Sequence, residues 1–356
     1  MLQSCAKSLA TLFVLCLIMA CGGEPKENLD EIELDLKLVR VDRQMLAAAQ
    51  AMQEAPLAQH AEIFEQYLGE EKEFLAAFIG LPALAAEMRL NPERADSLLL
   101  QEFTQVLADS AMAALLDTVN AEFPANFPLV DRLTPPFKRL KLHFPDIEVP
   151  ALRTHVSGYV PAQHMGQVDQ IVPLPGYFSL GLHYFMGQSF PYYSPVLPEF
   201  IKRRFDPAYL EVMAMREVAE GMVAPLPRDH EATFLDQVVR EGIKQYFMHQ
   251  MLPRTPDSML LLYTASQMDW ANFYEARIYK SVIDQLFSSN FELKRDYLGD
   301  KPYTTTLSLE SAPRLGEYLG YRIVQAYMER QDELSLAELC ESQDYEKIFR
   351  ESKYRP

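Results

Sequence analysis

Cysteine is scarce in this 356-residue chain, which has only Cys5, Cys16, Cys21 and Cys340. Long apolar runs are also missing. The longest uncharged stretch near the start, Ser8 to Ala20, has thirteen residues, against the roughly 20 that a bilayer-spanning helix needs. Basic residues are outnumbered, 33 Lys and Arg to 50 Asp and Glu, for a net charge of −17. That balance argues against nucleic acid as a partner and against electrostatic docking on anionic lipid. No G-x-x-x-x-G-K-[ST] phosphate loop, no G-x-G-x-x-G after a strand, no G-x-S-x-G serine elbow and no twelve-residue calcium loop occurs. No period of 20 to 50 residues repeats, which argues against solenoids and propellers.

What is present begins at the N-terminus. Lys7, a short apolar core and the small residue Ala20 make an export signal over residues 1–20. Ile18-Met19-Ala20-Cys21 resembles the bacterial lipobox, in which the cysteine thiol is acylated, with chains such as palmitate, and the chain is cut just before it. Cys21 then leads the mature protein, and Gly22, Gly23 and Glu24-Pro25-Lys26-Glu27 read as part of a flexible tether over residues 21–30. Lipid, not a transmembrane helix, is expected to hold the chain to its membrane. Cys5 and Cys16 leave with the signal and Cys21 carries lipid, so Cys340 alone cannot form an intramolecular disulfide. Zinc sites built on thiolate pairs are excluded for the same reason.

Residues 31–356 read as one globular domain of α+β class, predominantly helical with a small sheet, divisible into a helical lobe (31–145) and a second lobe (146–356). "IELDLKL" (32–38) alternates like a half-buried strand. Helical periodicity then runs to about Asn120, with Ile63, Phe64, Tyr67, Leu68, Phe74, Leu75 and Phe78 on one stripe. A proline-rich joint follows, from Pro124 through Pro135, Pro136 and Pro145 to Pro150, with a helix allowed at "FKRLKLHF". "LRTHVSGYV" (152–160) and "GYFSLGLHYF" (176–185) alternate and predict a hairpin or neighbouring strands. Helical periodicity returns beyond Pro207 and continues to the end.

The first candidates for chemistry are the seven histidines, His60, His143, His155, His164, His183, His230 and His249. His155 and His183 fall on the predicted strands with His164 between them, but nothing fixes their relative positions, and no metal site is assigned. The more informative pattern is a helix pair, "EVMAMREVAEGM" and "TFLDQVVREGIKQYFMHQMLP". In zinc peptidases of the gluzincin type, one helix carries H-E-x-x-H and a later one supplies a third ligand in a stretch like E-G-x-x-x-Y-F. Glu241-Gly242 through Tyr246-Phe247 matches the second element. At the first stand Arg216-Glu217-Val218-Ala219-Glu220, without histidine, and a guanidinium cannot bind a cation. The expectation is a gluzincin-like frame without its metal centre, needing no cofactor. Arg216 and Glu220 are expected to pair across one helical turn, with Arg216, Glu217, Glu220, Glu241 and Tyr246 as groove candidates. Ala312, Gly316 and Gly320 recur every four residues and predict a close-packing or docking face on a helix starting near Ser311-Pro313. Trp270, Phe273 and Tyr274 are expected in the core.

The C-terminal third is the most specific part. Glu241-Gly242 with Tyr246, Leu252-Pro253, Tyr263-Thr264 with Gln267 and Trp270, Pro313-Arg314-x-Gly316-x-x-x-Gly320 and the closing Ile348-Phe349-x-x-Ser352-Lys353-Tyr354 resemble the gliding motility lipoprotein GldB family of Bacteroidetes. "IELDLKLVRVD" and "GLHYFMGQSFPYY" fit the order of that family, whereas Tyr321 stands where its pattern suggests a second tryptophan. The resemblance implies an envelope lipoprotein without an established reaction, an accessory or scaffold for gliding motility and type IX secretion, with protein partners in that machinery. Gly22 is not an inner-membrane retention residue, which favours the outer membrane. The alternative is an envelope hydrolase acting on glycan or peptide through a Glu217/Glu241 carboxylate pair. The lipobox reading has a direct check: Cys21→Ser should abolish acyl labelling and move the protein from the membrane pellet to the soluble fraction. Persistence in the pellet would mean a different anchor.

Overall fold

Ala151–His155 lies near the centre of a four-stranded sheet with helices on both faces. The computed structural model describes residues 28–78, 91–157, 170–174, 176–227 and 232–356. Residues 1–33 and 34–356 form separate units. In the first, the described portion holds a 3-10 turn, Leu29–Glu31; the sheet and its helices belong to the second.

The sheet order is β1 (Leu38–Val39), β2 (Ala151–His155), β4 (Tyr177–Gly181) and β3 (Ile171–Leu174). The first three are mutually parallel, while β3 runs antiparallel to β4, with Ile171 opposite Leu180 and Leu174 opposite Tyr177. The chain enters β4 through Gly176, whose φ of +79° suits glycine. Of the two outcomes expected for the alternating segments, neighbouring strands is the one found, with Leu152 opposite Phe178 and His155 opposite Gly181. The hairpin instead joins β4 to β3, inside the stretch read as a connection. The strand expected over 32–38 shrinks to two residues, because only Leu38 and Val39 reach β2 before the helix begins at Val41. After Gly181 the chain tightens into a 3-10 turn, Leu182–Tyr184, so the expected strand to 185 stops early.

Helices α1 (Val41–Glu54), α2 (His60–Leu68), α3 (Lys72–Phe78), α4 (Pro92–Ala108) and α5 (Ser110–Glu122) realise the helical periodicity read up to about Asn120. Phe64, Leu68, Phe74 and Leu75 from the predicted stripe are buried, and Ile63 and Tyr67 are partly so. Phe74 meets Tyr177 edge-on at 5.8 Å on one face of the sheet. On the other, Phe137 of α6 (Leu129–His143) meets Phe178 at 6.1 Å. The helix allowed at "FKRLKLHF" is thus present within the proline-rich joint and extends back through Pro136 and Pro135 to Leu129. Two prolines remove two backbone donors and favour a break. Here the apolar face of Leu133, Phe137 and Leu140, all at 1% exposure or less, outweighs that local preference.

The C-terminal part of the chain is built on α7 (Leu210–Met222), α8 (Phe234–Met251), α9 (Ala265–Phe273), α10 (Glu275–Val282), α11 (Phe291–Leu298), α12 (Leu315–Met328), α13 (Leu336–Glu341) and α14 (Tyr345–Ser352). A capping box starts α8: the Thr233 hydroxyl accepts from Asp236 N at 3.2 Å, and the Asp236 carboxylate accepts from Thr233 N at 2.8 Å. Helix α12 starts at Leu315, after Arg314 at φ +45°, and not near Ser311. The Ser311 hydroxyl accepts from Thr304 N at 2.9 Å and donates to Ser308 O at 2.8 Å, so it closes a loop and caps nothing. Ala312 therefore lies outside the helical face assigned to it.

Gly316 and Gly320 do serve close packing, inside the molecule. Gly316 admits Leu298 and Tyr297 of α11, and Gly320 meets Gly242 and Val238 of α8 backbone to backbone. A Cβ at Gly320 would overlap the Val238 carbonyl, and one at Gly242 would overlap Gly320 itself. Gly320→Ala should therefore destabilise the fold by about 1–3 kcal/mol, lowering the thermal midpoint by several degrees. Gly221→Ala, with open space around its site, is the control and should be neutral or stabilising by up to about 1 kcal/mol. A midpoint for Gly320→Ala at or above that of the parent chain would contradict the close crossing.

Candidate functional site

Helices α7 and α8 lie side by side and, with Gln170 and Ile171 at the edge of the sheet, enclose a cavity of about 210 Å³. Arg216, Glu217 and Glu220 line it from α7, and Glu241, Lys244 and Gln245 from α8. Four of the five groove candidates thus come together, and Tyr246 is not among the lining residues. The volume falls below the roughly 300–1,000 Å³ of small-molecule sites.

Charges around the cavity are paired. Glu220 accepts from Arg240 Nη2 and from Lys244 Nζ, both at 2.7 Å, and Lys244 also meets Glu241 at 2.6 Å. Arg240 lies 3.6 Å from Glu241. Burial alone would raise the pKa of Glu220, but Arg240 and Lys244 outweigh it and hold the group below its ordinary value. Glu241 moves the other way: burial, reinforced by the nearby Glu317 charge, raises it against the pull of Lys244.

Beneath the cavity lies a buried cluster that neither motif nor periodicity revealed. Arg216 does not pair with Glu220. Its Nη2 lies 3.2 Å from both oxygens of Glu317 on α12, and its Nη1 donates to Leu260 O at 3.2 Å. The turn-spaced pairing fails because Glu317, in the low-dielectric interior, attracts the guanidinium more strongly than an exposed carboxylate does. Gln245 donates to Glu317 at 2.9 Å, and Arg314 Nε stands 3.1 Å away as an ion pair not aligned for a hydrogen bond. Arg314 also donates to Asp300 at 2.7 Å and to Leu261 O at 2.6 Å. Arg204 reaches the other oxygen of Asp300 at 2.7 Å. Burial opposes ionisation of Glu317, yet Arg216 and Arg314 prevail and its pKa is lowered.

The histidines divide. His155 and His183 meet edge-on at 5.8 Å, with His155 Nδ1 2.6 Å from Ser179 Oγ and His183 Nε2 3.0 Å from Ser157 Oγ. Burial pushes both well down, His183 to about 3, so both are neutral. His164 and His230 lie outside the described residues. Among the described residues, no three His, Cys, Asp or Glu side chains are placed to hold a metal ion. His249 contacts Asp257 at 2.7 Å and stacks on Tyr321 at 5.3 Å. In the expected aromatic core, Trp270 and Tyr274 are partly buried, but Phe273 is 81% exposed. No described helix is long and apolar enough to cross a membrane.

Together, the fold and site define a predominantly helical protein with a small mixed sheet and a cavity lined by paired charges. A family profile described as gliding motility protein GldB matches residues 23–356. The chain belongs to this family and is accordingly a gliding-motility-related lipoprotein of the cell envelope. No curated protein and no solved structure matches it.

Among the residues of the buried cluster, Arg314 stood within the family pattern, while Glu317, Gln245 and Asp300 gave little warning. The available signal was Glu317 as the single charge in the apolar run Leu315 to Tyr321. Glu317→Gln would leave Arg216 without its carboxylate partner and Arg314 with Asp300 alone, and should cost about 3–5 kcal/mol. Because folding depresses this carboxylate, its contribution is fully present above the unfolded-state carboxylate pKa and fades as pH falls through the folded value. Thermal melts of parent and variant should therefore differ at neutral pH and converge in acid; a gap independent of pH would refute the assignment.

Proposed function

We propose that this protein is a non-catalytic accessory or scaffold of the gliding motility and type IX secretion machinery. It is held by acylated Cys21 at the outer membrane, with the α7–α8 cavity receiving a side chain of an extended polypeptide that it does not cut. The observation that carries the reading is the fate of Arg216. At the position where a zinc peptidase has its first histidine, this side chain offers only donors and is engaged with Glu317. Glu220, at the place of the second histidine, is neutralised by Arg240 and Lys244. A groove of this frame without its metal ligands still suits capture of an extended chain.

The hydrolase alternative has one point in its favour, the upward shift of Glu241, which an acid catalyst would use. Against it, Lys244 holds one Glu241 oxygen at 2.6 Å. The two readings separate in one experiment, affinity capture from cross-linked, detergent-solubilised envelopes, comparing the parent chain with the Glu217→Gln/Glu241→Gln variant. On the scaffold reading, motility or secretion proteins accompany the parent chain and fall severalfold with the variant, while the variant stays folded and membrane-bound. Recovery of the bait alone or with cell-wall fragments, or capture unchanged by the variant, would overturn it.

A further inference from the structure

A second hollow, independent of the cavity, lies between α10 and α14 and encloses about 630 Å³. The closing sequence Ile348-Phe349-x-x-Ser352-Lys353-Tyr354, which the cavity does not use, builds one wall. Ile348 anchors α14 in the core at 1% exposure. The Ser352 hydroxyl donates to Phe349 O at 2.7 Å and accepts from Tyr354 N at 3.1 Å. Lys353 then takes φ +53°, which ends the helix and turns the chain back. Tyr354 is thereby laid edge-on against Tyr279 at 5.5 Å, its hydroxyl donating to Glu275 at 2.7 Å.

The result is an apolar floor of Tyr279, Ile283, Phe349 and Tyr354, flanked by Phe287, which is 61% exposed. An uncovered phenylalanine beside a concave apolar surface is the form of a docking site. The rim supplies the sign of its partner. Arg350, Lys353 and Arg355 are exposed and line the hollow, and Glu346 is the one acid among its lining residues. Arg350 meets Glu351 only at 3.8 Å. Three cations to one anion reverses the balance of the chain, 33 to 50.

We infer that this groove docks an acidic segment of a partner protein. An aromatic or long aliphatic side chain of the segment lies against Phe287 and Phe349, and its carboxylates face Arg350, Lys353 and Arg355. A membrane surface is disfavoured on two grounds: the basic residues lie along one wall of a hollow whose other lining, Glu346 apart, is apolar, and the chain as a whole carries −17.

The test uses the full-length acylated protein in detergent and fluorescein-labelled ten-residue peptides alternating Glu or Asp with Leu or Phe. Matched peptides carrying Lys in place of the acids serve as the comparison. Fluorescence polarisation should show acidic peptides binding at least about tenfold more tightly than the Lys peptides. The Arg350→Glu/Lys353→Glu/Arg355→Glu variant should lose about that factor, and added salt should weaken the parent chain in the same direction. Phe287→Ala, a small change at an exposed position, should weaken binding severalfold at any salt. Equal binding of both peptide sets, or binding untouched by either variant, would overturn the inference. So would a full-length Cys21→Ser chain whose sedimentation with phosphatidylglycerol vesicles depends on the three basic residues while peptide binding does not.

Discussion

The carboxylate of Glu317 is the constraint on which the packing of the C-terminal helices turns. It sits on α12 with 5% of its side chain exposed, where removing an ion from water costs several kcal/mol unless partners compensate. Two guanidinia and the Gln245 amide supply that compensation, and each partner belongs to a different element. Arg216 ties in α7, Gln245 ties in α8, and Arg314 precedes α12 itself. The arginines have donors to spare, and these go to consecutive backbone carbonyls, Leu260 O from Arg216 and Leu261 O from Arg314, while Arg203 takes Leu262 O at 2.9 Å. Two non-glycine residues in the left-handed region, Leu262 at φ +58° and Arg314 at +45°, belong to these connections. Each is strained by roughly 1–2 kcal/mol, and the network over-determines both.

The same geometry explains the character of the cavity above it. Arg216 lines the cavity and simultaneously neutralises Glu317, so any anion entering must compete with a buried carboxylate for it. A cation meets Lys244 already seated between Glu220 and Glu241. Neither sign of small ion is favoured, which suits a shaped recess better than an ion site. The close crossing of α8 and α12 at Gly242 and Gly320 completes the arrangement. It brings Gln245, one turn along α8 from Gly242, within hydrogen-bonding distance of Glu317 on α12. Backbone proximity and charge pairing therefore reinforce each other across one helix interface.

Much of this was legible in the sequence where a property is periodic or local. The stripe through Phe64, Leu68, Phe74 and Leu75 read as a buried helix face because burial repeats every three to four residues. Arg216-Glu217 and Glu241-Gly242 read as a helix pair because two short patterns recur at a familiar separation; Arg216, Glu217 and Glu241 do line one cavity, while Gly242 packs on Gly320. What escaped was whatever depends on contacts distant in sequence. Glu317 lies 101 residues from Arg216 and 72 from Gln245, and a lone glutamate in a helix reads as a solvated face. Pro135 and Pro136 read as a joint because proline acts locally, whereas the burial of Phe137 against Phe178 comes from a sheet not yet formed at that point in the chain. Strand β3 escaped because four residues interrupted by Pro173 carry almost no periodic signal.

The charge distribution joins these features to the envelope setting. In a lipid-anchored chain the acyl group supplies membrane attachment, so the folded body does not need a basic surface for that purpose, and an excess of acids keeps it from lying flat on anionic headgroups within the Debye length of about 8–10 Å. Cationic side chains are then free to be spent locally. Arg216, Arg314 and Arg204 are consumed by Glu317 and Asp300, and Arg240 and Lys244 by the acids of the cavity. Arg350, Lys353 and Arg355 are different in kind, being exposed and gathered around an apolar floor. On an acidic body, such a cluster attracts anionic segments over a short range while the surrounding field repels them elsewhere. That combination confers selectivity through position more than through total affinity.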